Sequence, residues 1–258
     1  MQNGVVGALM LTVFAGLSTG IGSIIALFAK RTNTKFLSLS LGFSAGVMLY
    51  VSMIEIFAKA KNYLVNANGE KNGYWICVIA FFVGIILIAL IDFFIPSTDS
   101  DIGSKNQNTN LGRMGIMTAL AIGIHNFPEG IATFTSALKD PVLGVAIAVA
   151  ISIHNIPEGI ATSLPIYFSD GKKTKAFLIS FLSGMTEPIG AILGYIVLKP
   201  FLNDTIFGIL FSAVAGIMVF ISLEELIPMA HEYEKSKITI IGVILGMIVM
   251  AVSLLLFV

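Results

Sequence analysis

The chain has 258 residues, 56% of them hydrophobic and only 12% charged, with a mean hydropathy of +0.93. Soluble domains carry about 25% charged residues, so this composition excludes a water-soluble globular protein and predicts an integral membrane protein. Fifteen basic and fifteen acidic side chains cancel, and such sparse Lys and Arg argue against nucleic acid as a partner; the single cysteine, Cys77, excludes intrachain disulfides and any site built from several thiolates.

A spanning helix needs about 20 mostly apolar residues. Eight stretches qualify: 4–29, 36–58, 74–95, 113–138, 142–168, 176–198, 203–229 and 238–258. The first is long enough to span and has no basic segment before it, so it reads as a span and not as a cleaved signal. It carries Gly16 and Gly20, a pair expected to let a neighbouring helix approach closely. The second carries Ser44 and Ser52, expected to pack between helices, and Glu55 near its end. The third opens on Tyr74 and Trp75, where an interfacial aromatic pair is expected, and contains Cys77, read as a small packing residue. Pro96 to Gly112, "PSTDSDIGSKNQNTNLG", has no periodicity and no histidine and reads as a flexible linker. The fourth and fifth stretches hold two near-identical nonamers, "HNFPEGIAT" (His125–Thr133) and "HNIPEGIAT" (His154–Thr162), 29 residues apart. The sixth contains Ser183 and Thr186, likewise expected to pack between helices, and Glu187; the seventh carries Glu225, and the eighth Gly242 and Gly246, a second expected close-approach pair. The predicted fold is a single all-α polytopic membrane domain of eight helices over 1–258, embedded in a lipid bilayer.

Orientation follows from the basic residues. Ten of the fifteen fall in the odd-numbered connections (Lys30, Arg31, Lys35, Lys105, Arg113, Lys172, Lys173, Lys175, Lys235, Lys237) and five in the even-numbered ones (Lys59, Lys61, Lys71, Lys139, Lys199). The odd connections are therefore expected in the cytoplasm, with both termini and a loop at Lys59–Lys71 outside.

Two internal matches relate the ends of the chain. "AGVMLYVSMIEIFAKA" (Ala45–Ala60) resembles "AGIMVFISLEELIPMA" (Ala215–Ala230) at an offset of 170, and "STGIGSIIAL" (Ser18–Leu27) aligns with "TEPIGAILGY" (Thr186–Tyr195) at 168. Helices 1 and 2 thus correspond to helices 6 and 7. An odd number of spans separates the copies, so they run in opposite directions. The expected architecture is an inverted repeat, helices 1–3 and 6–8 around helices 4–5, with the polar nonamers at the repeat interface, as in secondary transporters.

Within each nonamer the His and Glu are i,i+4 neighbours and project from one helix face. Asn126 and Asn155 lie 100° round and can supply carbonyl oxygen. Pro128 and Pro157 lack an N–H and free the carbonyls of Ile124 and Ile153, and Gly130 and Gly159 admit another backbone. With Glu187, about 11 residues into helix 6, three carboxylates and two imidazoles lie deep in the bilayer, where each charge costs at least about 2.5–3.5 kcal/mol. No Lys or Arg lies at matching depth, and a divalent cation would supply the missing positive charge. Mixed N/O ligation without thiolate suits Zn²⁺, and also Fe²⁺, Mn²⁺, Co²⁺ or Cd²⁺. One ion would use His125, Glu129, His154 and Glu158; a second would use Asn126, Glu129, Asn155, Glu158 and Glu187. Straight helices turning at Asp140–Pro141 put Glu129 and Glu158 at depths differing by about 9 Å, an offset that tilt and proline kinks must absorb.

A single buried His or Glu would read equally well as an interhelical hydrogen bond; the duplicated motif does not. Glu55 and Glu225 approach helix ends, either solvated or lining access paths. His231, beside Glu232, is either a solvated group or a receiver of departing metal.

At these residues the chain resembles the ZIP family of metal transporters, in its bacterial ZupT-type branch, over its whole length. The resemblance implies a location in a bacterial inner (plasma) membrane and metal import into the cytoplasm through a binuclear site at the positions named above, with helices 1, 4, 5 and 6 moving against helices 2, 3, 7 and 8. It implies no enzyme activity and no resident cofactor, the metal being the cargo, and it leaves a homodimer open as the assembly. Among rival classes, a membrane metalloprotease would want H-E-x-x-H, which is absent, and a di-iron oxygenase would want more than three histidines. A metal-ion channel would share the same site.

Overall fold

The computed structural model describes residues 2–28, 30, 33–94, 107–139, 141–198, 203–234 and 237–255; for some helical residues, His154 and Glu225 among them, the description stops at the backbone. Among the described residues every regular element is helical. The elements are α1 (Gln2–Leu27), α2 (Thr34–Tyr50), α3 (Phe57–Asn68), α4 (Glu70–Phe94), α5 (Gln107–Lys139), α6 (Pro141–Asp170), α7 (Lys173–Gly184), α8 (Thr186–Leu193), α9 (Asp204–Phe220), α10 (Ile227–Tyr233) and α11 (Ile238–Leu255). Six helical stretches, Gly4–Leu27, Thr34–Asn68, Glu70–Ile91, Lys173–Ile196, Asp204–His231 and Ile238–Leu255, are long and apolar enough to cross a membrane. Phe14, Ile21, Phe82, Ile86, Ile244 and Ile248 stand exposed along three of them. Water would not tolerate such faces over so large an area, but lipid does. The protein is a multi-pass membrane protein.

The helices begin and end where local chemistry satisfies their free backbone groups. Asn33 and Asn203 cap α2 and α9: each side-chain Oδ1 accepts a backbone N–H, from Phe36 and Ile206 respectively, at 3.0 Å. Such a cap contributes about 1 kcal/mol. A π-helical segment, Val51–Ile56, joins α2 to α3, and another, Ile221–Leu226, joins α9 to α10.

Three sequence expectations need correction. The span expected to end at residue 58 runs on through α3 to Asn68, so Lys59 and Lys61 lie on helix and not in a loop. Ala60 and Leu64 bury one face of that extension, and Gly69, at φ +78°, ends it. The expected linker 96–112 is shorter, since α5 begins at Gln107; residues 96–106 lie outside the described residues. Apolarity marks the part of a helix that meets lipid, whereas the helix continues until its backbone finds a cap. The sixth stretch is not one helix either. Pro188 has no N–H for the Gly184 carbonyl and its ring crowds that carbonyl, so α7 stops at Gly184 and α8 restarts after Met185 (φ −70°, ψ −7°).

The helices α5 and α6 lie side by side at the centre, continuous through Pro128, Pro157 and Pro165. Along α6 packs α1, and along α5 packs α8; on the other side α2 packs on α11 and α9 on α4. Missing side chains set these distances. A Cβ at Gly159 would lie 2.0 Å from the Thr19 carbonyl oxygen, and one at Gly130 would lie 1.9 Å from that of Glu187. The expected approach at Gly16 is present, against the Gly184 carbonyl, and that at Gly242 and Gly246 against the carbonyls of Leu39 and Phe43. Cys77 is fully buried, its carbonyl accepting Ser212 Oγ at 2.6 Å.

Candidate metal site

The two nonamers face each other across the α5–α6 contact. His125 (1% exposed), Asn126 (0%), Glu129 (3%), Asn155 (0%), Glu158 (0%) and Glu187 (0%) are all sealed from solvent. His154 occupies the equivalent place on α6, but its side chain lies outside the described residues. The imidazole Nε2 of His125 lies 3.5 Å from Glu129 Oε2 on its own helix and 3.2 Å from Glu158 Oε1 on α6. His125 thus reaches both glutamates, one on each helix, despite the depth offset anticipated from straight helices.

Glu187 enters from a third helix. It sits in the first turn of α8, where the helix dipole favours a negative charge. That turn exists because Pro188 breaks the preceding helix. Asn155 Nδ2 donates to Glu187 Oε1 and, at 3.0 Å, to the Ala15 carbonyl of α1. Asn126 Nδ2 donates to the Ser183 carbonyl at 3.3 Å, beside the same break, where Thr186 Oγ1 also donates. Each amide nitrogen is thus used on protein backbone, and each amide oxygen is left over. Asn126 Oδ1, Asn155 Oδ1, Glu158 Oε2 and Glu187 Oε2 are buried with no hydrogen-bond partner among the described residues. Leaving such groups unmatched costs about 1–3 kcal/mol each, more for a charge. All four are hard oxygen donors, the chemistry a divalent cation wants.

The spacing is also compatible with a metal. Arms of about 2.0–2.1 Å at a tetrahedral ion separate neighbouring ligand atoms by roughly 3.3 Å. The His125–Glu158 and His125–Glu129 separations of 3.2 and 3.5 Å bracket that value. Among the described residues, however, no group of three or more His, Cys, Asp or Glu is assembled to hold an ion as it stands. The described side chains form the edges of a site, and the expected fourth ligand, His154, is outside them.

Comparison with known proteins now decides the family. The family model described as ZIP Zinc transporter matches residues 96–254, a stretch that contains both nonamers and Glu187. Among curated proteins, the "Zinc transporter ZupT" of Streptococcus mutans is 60% identical over 97% of each chain. That of Lysinibacillus sphaericus is 58% identical over the whole of both, and that of Clostridium perfringens is 57% identical, covering 100% of this chain and 98% of its own.

The chain belongs to the ZIP family.

In this ZIP chain Glu55 and His231, expected along access paths, are not sealed from solvent as the cluster residues are. Glu55 is part-exposed and paired with Lys59 one turn along its own helix. His231 is exposed, and the side chain of Glu225 lies outside the described residues. Of the four hydroxyl residues expected to pack between helices, Ser44 does so, donating to the Pro157 carbonyl at 2.8 Å within the second nonamer. Ser52, Ser183 and Thr186 bond within their own chain segment instead, to the carbonyls of Met48, Ser180 and Ser183. Sequence reasoning did not anticipate Ser44 as a support of the site, nor the backbone carbonyls of Ala15 and Ser183 as the anchors of the two asparagines. Carbonyl acceptors leave no mark in residue identity; the only available signal was the 168-residue offset, which relates Ala15 to Ser183.

Proposed function

We infer that this ZIP chain is a carrier, not an enzyme, that moves Zn²⁺ and related divalent cations (Fe²⁺, Mn²⁺, Co²⁺, Cd²⁺) into the cytoplasm through the buried cluster at His125, Asn126, Glu129, His154, Asn155, Glu158 and Glu187. The observation that carries this reading is the burial of Glu129, Glu158 and Glu187, each at most 3% exposed, on three packed helices linked through His125 and Asn155, with unmatched amide and carboxylate oxygens beside them. The helices α1, α6 and α8 have no Lys or Arg, and α5 has none between Arg113 and Lys139. A divalent cation is the counter-charge that such a pocket lacks. Two adjacent ions bridged by Glu129 and Glu158 fit the count of acidic groups. The relatives' name, zinc transporter, supports zinc as a cargo.

The burial also favours a carrier over a channel. An open pore would leave its ligands wetted from at least one side, whereas these are closed to both. An inverted repeat of eight spans, with α5 and α6 as the central pair, gives such a site two access directions. At about 1.5 Å per residue, the 33 residues of α5 and the 30 of α6 are long enough to span. The repeat is supported by paired geometry at offsets of 170 and 168: the caps Asn33 and Asn203 and the π-helical segments at 51–56 and 221–226 at the first, and Thr19 and Glu187, which closely approach Gly159 and Gly130, at the second.

Purified protein in proteoliposomes is expected to take up ⁶⁵Zn²⁺ with saturation, and competing Cd²⁺ or Mn²⁺ is expected to reduce the rate. Absence of uptake for all of Zn²⁺, Fe²⁺, Mn²⁺ and Cd²⁺ refutes the reading. For orientation, both termini and the α3–α4 turn are placed outside. Glu70→Cys, exposed at that turn, is expected to react with an impermeant thiol reagent on intact cells, the native Cys77 being buried; reaction only in inverted vesicles would reverse the topology.

A further inference from the structure

We propose that Thr19 supplies a neutral hydroxyl ligand to the cation on the Asn126 side of the site, and so sets how tightly the cargo is held there. This rests on the reading of the cluster as a cation site. Thr19 is the counterpart of Glu187 at the 168-residue offset, and its surroundings repeat those of Glu187 piece by piece. The Thr19 carbonyl abuts Gly159, the residue after Glu158; the Glu187 carbonyl abuts Gly130, the residue after Glu129. Asn155 donates to Ala15, four residues before Thr19; Asn126 donates to Ser183, four residues before Glu187. The frame is duplicated and only the side chain differs, a carboxylate at one position and a hydroxyl at the other.

Among the described residues the Thr19 hydroxyl, like those of Thr118 and Thr133, is buried without a hydrogen-bond partner, but of the three only Thr19 stands at the position equivalent to Glu187. A threonine inside a helix ordinarily donates to the carbonyl four residues back, as Thr12, Thr135 and Thr162 do here at 2.9, 2.8 and 3.0 Å. Thr19 is 0% exposed, yet its Oγ1 has no hydrogen-bond partner among the described residues. The acceptor it would use, the Ala15 carbonyl, lies in the α1 backbone ladder and already takes Asn155 Nδ2 and Ser18 Oγ as well, so it is crowded with donors. The hydroxyl is left lying against Gly184, next to the Ser183 carbonyl that holds Asn126, and Asn126 Oδ1 is likewise unmatched. Two neutral oxygens, Thr19 Oγ1 and Asn126 Oδ1, then join Asn155 and Glu187 around the second ion. A neutral ligand holds a dication less tightly than a carboxylate does, so the hydroxyl at Thr19 keeps the cargo less firmly bound than a second copy of Glu187 would.

The test compares Thr19→Val, Thr19→Ser and Thr19→Glu with wild type by ⁶⁵Zn²⁺ binding to detergent-purified protein, by proteoliposome uptake and by thermal unfolding. Valine keeps the shape and removes an unmatched polar group, which by itself leaves stability unchanged or higher. The proposal expects Thr19→Val to unfold at or above the wild-type temperature while Zn²⁺ affinity falls about tenfold and KM rises with it. Thr19→Ser is expected to restore both, and Thr19→Glu to bind more tightly while turning over more slowly. Wild-type affinity and KM in a folded Thr19→Val protein overturn the proposal. If wild type binds Zn²⁺ in a Thr19-dependent way but transports nothing, the ligand assignment stands and the carrier reading falls. If wild type does not bind Zn²⁺, Mn²⁺ or Cd²⁺, both fall.

Discussion

Glu158→Ala is expected to abolish uptake of every cation the protein carries, whereas Glu187→Ala changes affinity and the order of preference among metals. Glu158 is fully buried and is the group through which α6 meets His125 of α5. In the proposed site it touches both ions, so its loss removes a ligand from each and one of three local negative charges. At 4 Å and an effective dielectric constant of 20, one unit-charge pair is worth about 4 kcal/mol, and two neighbouring dications repel by more than a single pair does. Loss of even ~2.7 kcal/mol is about a hundredfold in affinity. Glu187 is held by Asn155 and reaches the site from one side only, so the first ion keeps His125, Glu129 and Glu158. His125→Ala falls between the two, since it removes a ligand without removing negative charge. Initial rates for Zn²⁺ and Mn²⁺ at matched protein levels check this. A Glu158→Ala protein that still transports while Glu187→Ala does not would invert the assignment.

The second large effect is steric. Gly130→Ala and Gly159→Ala are each expected to destabilise the fold by several kcal/mol and to abolish uptake. The added methyl would lie 1.9 Å from the Glu187 carbonyl oxygen or 2.0 Å from that of Thr19, well inside contact distance, and each obstacle is the backbone of a packed helix. Overpacking costs about 1–3 kcal/mol when side chains can give way, and more when they cannot. Here α8 or α1 must move outward, which carries Glu187 or Thr19 away from its nonamer. Gly7→Ala is the control: nothing lies within 4 Å of its Cβ position, and the gain in helix propensity, roughly 1 kcal/mol at most, leaves it neutral or slightly stabilised. Thermal unfolding in detergent, read beside uptake, separates these outcomes. Wild-type stability in Gly159→Ala would show that α1 is not packed against α6 as described.

These effects trace back unevenly to the sequence. The nonamers were legible because a polar motif repeated inside apolar stretches has few structural explanations, and the i,i+4 spacing of His125 and Glu129 needs only helix geometry. Gly130 and Gly159 were legible as approach points for the same reason. The closure between the two helices was not: straight helices leave Glu129 and Glu158 at depths about 9 Å apart, whereas His125 Nε2 reaches both carboxylates, at 3.5 and 3.2 Å. Helix limits were legible only to the edge of the apolar run, which is why Lys59 and Lys61 read as loop although Ala60 and Leu64 extend the helix past them. Pro188 alone could not signal the break at Met185, since Pro128 and Pro157 do not interrupt their helices; Pro188 differs in following Gly184, which is pressed against Gly16 of α1.

The central claim is that a divalent cation occupies the junction of α5, α6 and α8. Anomalous scattering from crystals of the purified protein grown with Cd²⁺ tests it most directly. The account predicts anomalous peaks bounded by His125, Glu129, His154 and Glu158, with a second ion toward Asn126, Asn155 and Glu187. Cadmium found only at exposed groups such as Glu55, Glu224 and His231, with no density between the two nonamers, would contradict it.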